Sequence, residues 1–147
     1  MDMNKLTMKS QEALQAAEVK ATRFGHIEAD GEHLLLAMLE QADGLAPRLL
    51  QRMEIPVDNM RQRLEEELSR RARVSGPGVE RGKIYITQRL QKLYTQALEE
   101  AQRLKDEYIS AEHFLLAFTY EGTATAAGKI LQEFGVTRDT LLKTLAS

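Results

Sequence analysis

The chain contains no cysteine and no tryptophan, and its aromatic residues are only four Tyr and four Phe. Without cysteine there is neither a disulfide nor a thiolate metal site, which points to the cytoplasm rather than an oxidising compartment. The net charge is −2, so there is no basic excess of the kind that carries nucleic-acid binding. The longest strictly apolar run, Leu34 to Leu39, is far too short to span a bilayer. The opening Met1-Asp2-Met3-Asn4-Lys5 lacks the basic and apolar stretches of a signal peptide. No nucleic-acid or membrane partner is therefore expected. What remains is rich in Leu, Ala, Glu, Gln and Lys, the good helix formers. With 43% hydrophobic and 29% charged residues over 147 positions, the chain suits a globular domain with its own core.

Sliding the sequence along itself exposes an internal repeat. At an offset of 80, residues 6–39 align with 86–119 without a gap, and ten of the 34 pairs are identical. The densest match sets Glu32-His33-Leu34-Leu35-Leu36-Ala37 against Glu112-His113-Phe114-Leu115-Leu116-Ala117. One added residue shifts the offset to 81, and the match continues through Leu50/Leu131, Gln51/Gln132, Asp58/Asp139 and Leu64/Leu145. The chain thus reads as repeat 1 (about 4–68), a linker (about 69–83) and repeat 2 (about 84–147). The linker mixes Gly76-Pro77-Gly78 and Gly82 with Arg70, Arg71, Arg73, Arg81 and Lys83, as a flexible basic tether would.

Each repeat reads as four helices, giving an all-α fold of about eight helices in two pseudo-symmetric units. Thr7 is suited to cap the first, which carries Ala13, Leu14, Ala17, Ala21 and Phe24 at helical spacing and stops at Gly25. Asp30 caps the second, the third holds Leu49, Leu50 and Met53 and ends before Pro56, and Asp58 caps the fourth. In repeat 2, Thr87, Ser110 and Thr137 are the corresponding caps, and Gly128 to Phe134 form the third helix, closed by Gly135. Lys83-Ile84-Tyr85-Ile86 is the nearest approach to a strand.

The Glu-His-Leu-Leu-Leu-Ala and Glu-His-Phe-Leu-Leu-Ala pair, within a tandem four-helix repeat, resembles the N-terminal domain of Clp ATPases. Residues 103–113, RLKDEYISAEH, and the long linker ending in Ile84-Tyr85-Ile86 look like the ClpB branch. The resemblance covers nearly the whole chain. It departs at Lys105, where the family usually has glycine, which points to a different ending for the first helix of repeat 2. The resemblance implies a hexameric parent with two AAA+ modules that bind ATP and magnesium. This chain lacks them: the nearest stretch to a phosphate-binding loop, beginning at Gly78, is one residue short and has no hydroxyl after Lys83. No cofactor and no enzymatic activity are expected of the chain itself, which is expected to be monomeric.

Glu32-His33 and Glu112-His113 suggest metal or acid–base chemistry only weakly. A glutamate in a first turn complements the helix dipole, and each histidine opens an apolar run as a packing residue would. With three histidines in all, a three-ligand zinc site would need both repeats to converge. A binding groove is the stronger reading. Leu90, Tyr94 and Ala97 share one helical face, and by resemblance to ClpB such positions form an apolar groove for exposed segments of unfolded or aggregated proteins. Thr7, Asp106 and Glu112 match polar positions of substrate handling in that family. As an alternative, Clp relatives of the ClpC and ClpA type dock adaptors. In ClpC relatives the pairs matching Thr7/Glu32 and Thr87/Glu112 take phosphorylated arginine. A module that only shapes the ring entrance is a third reading.

Overall fold

A computed structural model describes residues 1–74 and 83–147. After a short 3-10 turn at Met3–Lys5 come α1 (Met8–Arg23), β1 (Glu28–Ala29), α2 (Gly31–Leu39), α3 (Leu45–Arg52) and α4 (Val57–Arg70). They are followed by β2 (Tyr85–Ile86), α5 (Gln88–Arg103), α6 (Ala111–Thr119), α7 (Ala126–Glu133) and α8 (Arg138–Ala146). The fold is all-α, with the helices of the two halves recurring in the same order. The glycines of the expected tether lie outside the described residues. Its first residues are held rather than free: Arg71 is ion-paired and the Val74 amide donates to the Gly25 carbonyl at 2.8 Å.

The caps explain why these segments become helices. Thr7 Oγ1 accepts from the Ser10 amide at 3.1 Å, and Thr87 Oγ1 from the Leu90 amide at 3.0 Å, satisfying donors that have no carbonyl within the helix. Asp30 and Ser110 each form a capping box. Its returning partner is a histidine: the Asp30 amide donates to His33 Nδ1, and the Ser110 amide to His113 Nδ1, both at 2.9 Å. These rings, expected only to pack, are therefore capping residues as well. Thr137 caps α8 as expected. Asp58 does not cap α4. Pro56 holds that position with ψ at 96°, already out of the helical region, and Asp58 falls in the first turn. The third helix of repeat 2 begins earlier than expected, at Ala126 behind Thr125. Gly128 then sits inside it because a Cβ there would lie 2.2 Å from the Gly122 carbonyl oxygen.

Lys105 does not change the helix ending. Gly25 closes α1 at φ +77°, and Lys105 closes α5 at φ +63°. In both, the next amide reaches back 2.8 Å, from His26 to Ala21 and from Asp106 to Ala101. The lysine carries the left-handed conformation at a cost of about 1–2 kcal/mol that glycine avoids.

The two repeats are threaded through each other at their helix starts. The Thr7 amide donates to the Ile109 carbonyl at 3.0 Å, and the Thr87 amide to the Ala29 carbonyl at 3.2 Å. Leu6 and Ile109 form a parallel bridge, while β1 and β2 pair in parallel, Glu28 with Tyr85 and Ala29 with Ile86. Each α1-type helix thus begins against the loop of the other repeat. At the centre, every residue of α2 is buried, as are His113 to Phe118 of α6. Helices apolar on all sides are suited to such a position.

Thr7→Ala should lower stability by about 1 kcal/mol, the usual loss for an N-cap. Thr87→Ala should cost more, because the Thr87 hydroxyl also donates to Asp30 Oδ1 at 2.8 Å. Urea midpoints of the two variants check both the loss and its order.

Candidate functional site

The start of α2 carries the most heavily bonded carboxylate in the described residues. Glu32 has no solvent exposure. Its Oε1 accepts from Arg89 Nη1 at 2.7 Å and Arg71 Nη2 at 2.6 Å; its Oε2 accepts from Arg89 Nη2 at 2.8 Å and the Ala127 amide at 2.9 Å. Arg89 forks again onto Glu121, with both bonds at 2.8 Å, and stands 3.2 Å from Asp30. Burial alone would raise the Glu32 carboxyl, but the bonds and charges of Arg89 and then Arg71 outweigh it and hold the group at about 2. Bidentate guanidinium pairing of this kind is strong and directional. Sequence reasoning gave Glu32 a dipole role and missed the arginines, which lie 39 and 57 positions away.

The equivalent position in repeat 2 is dressed differently. Glu112 Oε1 is buried with no hydrogen-bond partner among the described residues. Burial pushes its carboxyl up despite the opposing field of His113. Where repeat 2 supplies Arg89, repeat 1 supplies Lys9, whose side chain is 61% exposed and turned to Glu12. A cleft of about 190 Å³ opens beside it, lined by Thr7, Lys9, Ser10, Arg48, Ser110 and Ala111 among others. His113 Nδ1 accepts from the Ser110 amide, so its Nε2 carries the ring hydrogen and donates it to Asp106, half exposed, at 2.8 Å.

The four residues expected to pair as Thr7/Glu32 and Thr87/Glu112 are exchanged by the threading of the repeats. Thr87 stands at the start of α2 with Asp30, and Thr7 at the start of α6 with Ile109 and Ser110. Thr7, Asp106 and Glu112 thereby share one end of the molecule. The expected groove floor does not join them as surface. Leu90 and Ala97 are fully buried, and Tyr94 is 6% exposed with its hydroxyl donating to the Asp2 carbonyl at 2.8 Å. Their helical spacing reflects the core-facing stripe of α5. The apolar surface at this end comes instead from Met8 (71% exposed), Tyr108 (49%) and Leu104 (39%), within two residues of Thr7, Ile109 and Asp106. Isolated exposed apolar residues carry no sequence signal, and nothing short of the fold would single these out.

A second buried carboxylate, Glu100, ties α5 to the C-terminal helix. It bonds to Arg103, to Arg138 at 2.8 Å and to the Tyr120 hydroxyl at 3.1 Å, and Arg138 lies over the Tyr120 ring. Burial opposes its ionisation, but the Arg138 and Tyr120 bonds prevail and lower its pKa. His26 and His33 meet at 2.9 Å. No helix among the described residues is long and apolar enough to cross a membrane.

The two helical repeats are thus tied together by the ion pairs of Glu32 and by the strand pairing at their helix starts. The family model described as Clp repeat (R) N-terminal domain matches residues 5–145, and the chain belongs to that family. Domains of this family are non-catalytic. Among curated relatives, the chain is 43% identical over 145 residues to the chaperone protein ClpB of Nitratidesulfovibrio vulgaris, covering 99% of this chain and 17% of that protein. It is 42% identical over 145 residues to ClpB of Bacillus anthracis, again over 99% of this chain and 16% of the other. The chain therefore spans about a sixth of these relatives. The solved N-terminal domain of the ClpV1 ATPase of E. coli superposes with a TM-score of 0.80 at 25% identity, over 96% of this chain and 83% of that one. The Hsp104 N-terminal domain of Candida albicans gives 0.77 at 19% identity, over 95% and 88%.

Arg89→Ala should destabilise the fold by about 3–5 kcal/mol, the range for breaking a buried ion pair. A urea midpoint unchanged from the parent would refute the central role given to this pair. Glu32 ionises more readily folded than unfolded, so its contribution is complete above its ordinary value of 4.5 and is lost as pH falls towards about 2. Unfolding free energies between pH 5 and 2 should fall more steeply for the parent than for Glu32→Gln.

Proposed function

We infer that the chain is the substrate-recruiting N-terminal domain of an ATP-dependent protein disaggregase, and that it binds exposed apolar segments of unfolded or aggregated proteins. The kinship to ClpB over 99% of the chain supports the setting. The observation that carries the binding is the exposure of Met8, Leu104 and Tyr108 at the end where Thr7, Asp106 and Glu112 gather. Methionine is unbranched and polarisable and adapts to irregular apolar partners, and tyrosine adds a polar tip. A polar rim about such a patch limits non-specific association.

Capture at this surface is weak. Covering two or three side chains yields a few kcal/mol at about 25 cal/mol per Å², and association entropy consumes much of it. A single copy should bind at roughly micromolar to millimolar strength. Several copies tethered on a ring would raise the effective concentration without a new contact. Within the parent protein, ATP and magnesium serve the modules outside this chain, in the cytoplasm.

A second reading, docking of an arginine or phosphoarginine side chain from a substrate or adaptor, is favoured by one observation. Glu112 keeps a buried oxygen without a partner, whereas Glu32 in the same position of repeat 1 holds Arg89 on both oxygens. Lys9 and Arg48 line a cleft with Thr7, Ser110 and Ala111 at the start of the same helix, and could meet a phosphate there.

The double variant Met8→Asp/Tyr108→Asp should weaken binding of a fluorescent, permanently unfolded model protein at least tenfold while its circular dichroism matches the parent. Binding as tight as the parent's would place recruitment elsewhere. Tyr94→Asp, by contrast, should lose helical signal, because its ring is buried. Glu112→Gln should spare the unfolded protein under the first reading and abolish binding of a phosphoarginine peptide under the second.

A further inference from the structure

The two histidines of repeat 1 form a chain of hydrogen bonds with no room for an added proton. His33 Nδ1 accepts from the Asp30 amide at 2.9 Å, so the neutral ring carries its hydrogen on Nε2. That hydrogen is donated to His26 Nδ1, 2.9 Å away. His26 must then carry its own hydrogen on Nε2, which is buried and has no partner of full hydrogen-bond geometry among the described residues. The Leu68 and Arg71 carbonyls act on that ring as weak acceptors. A proton added to either Nδ1 would meet an N–H already pointing at it.

The surroundings oppose a positive charge. Arg71 and Arg73, from the segment after α4, face the pair; Asp30 and Glu32 at the start of α2 act in the opposite sense, and Glu28 of β1 lines the adjoining cleft. At the end of α1 the Phe24 ring stacks on His26 at 5.8 Å. Asp30 and Glu32 are themselves engaged with Arg71 and Arg89. Burial, then the neighbouring ring and Arg71, push His33 down to about 4, and burial with Arg71 lowers His26.

One segment covers the pair. Arg71, Ala72 and Val74 line a cleft of about 190 Å³ together with His26 and His33. The segment is held by the Val74 amide on the Gly25 carbonyl, by Arg71 on Glu32, and by the Arg73 guanidinium laid against Gly25. Repeat 2 has no second histidine among its described residues: the position of His26 is taken by Asp106, whose carboxylate accepts from His113 Nε2 at 2.8 Å.

We propose that His26 and His33 form an acid-sensitive latch that clasps residues 71–74, the entry to the inter-repeat segment, and releases them when the rings take up protons. The sign follows from the shared hydrogen bonds. The closed form holds fewer protons than the open form, so opening grows as pH falls below the ordinary histidine value of 6.5. Release would expose the Phe24–His26 face and remove Arg71 from Glu32, while Arg89 still holds the two repeats together.

Amide hydrogen exchange on the 147-residue chain tests this, with Val74 reporting the latch and Ala97 of α5 reporting global opening. Between pH 6.5 and 4.5 the Val74 protection factor should fall by about tenfold per pH unit for each proton taken up, while Ala97 stays protected. The double variant His26→Asn/His33→Gln can reproduce both hydrogen bonds with amide groups that do not ionise, and its Val74 protection should be independent of pH. Should that variant not fold, NMR titration of the two parent rings serves instead: both should titrate well below the usual histidine value, in step with Val74. The proposal is overturned if Val74 protection in the parent is flat, falls only together with Ala97, or if either ring titrates normally.

Discussion

A carboxylate deprived of all contact with water is costly, and it persists only if donors from the protein replace the solvent completely. Glu32 meets that condition by drawing on three places at once: the end of α4 through Arg71, the start of α5 through Arg89 and the first turn of α7 through the Ala127 amide. Arg89 extends the network to Glu121, and Glu121 to the Thr125 cap of α7. Rotating one repeat against the other would strand a buried charge. The relative placement of the repeats is in this sense an electrostatic consequence of one residue at the start of the central helix. Glu100 does the same on a smaller scale for α8, through Arg138.

Much of the helical framework could be read from residues in order along the chain. Thr7, Asp30, Thr87, Ser110 and Thr137 announce helix starts because an N-cap is a local event, decided within four residues. The offset of 80 predicted matched elements for the same reason. What escaped was non-local. That His33 and His113 return to cap their own helices needs a rotamer, not a residue type. That Thr87 rather than Thr7 stands near Glu32 follows from how the halves interleave, which no spacing encodes. Leu90, Tyr94 and Ala97 illustrate the opposite error: a helical stripe reports burial, and it does not distinguish a core from a groove. Asp58 failed as a cap because Pro56, two residues earlier, already occupies the cap position, which puts Asp58 in the first turn.

The two copies share a frame and differ in its fittings. At corresponding positions stand Gly25 and Lys105, His26 and Asp106, Arg89 and Lys9, and each exchange alters what the copy does with its start of helix. The first copy is closed by an arginine from the second. The second leaves its glutamate with a buried oxygen that has no hydrogen-bond partner among the described residues. A duplicated unit can specialise in this way without changing its packing, because α2 and α6 keep the same buried faces while their first turns diverge.

The threading at Thr7 and Thr87 also bears on the order in which the protein is made. Thr7 cannot find the carbonyl that receives its amide, nor Leu6 its bridge partner, until Ile109 has been synthesised, about a hundred residues later. At a translation rate of roughly 5–20 residues per second, that is an interval of several seconds. During it, the first repeat lacks its neighbour at the N-terminus and, until residue 89 is made, the arginine for Glu32. The domain thus passes through an interval in which Leu34 to Leu39 wait for their partners from the second repeat.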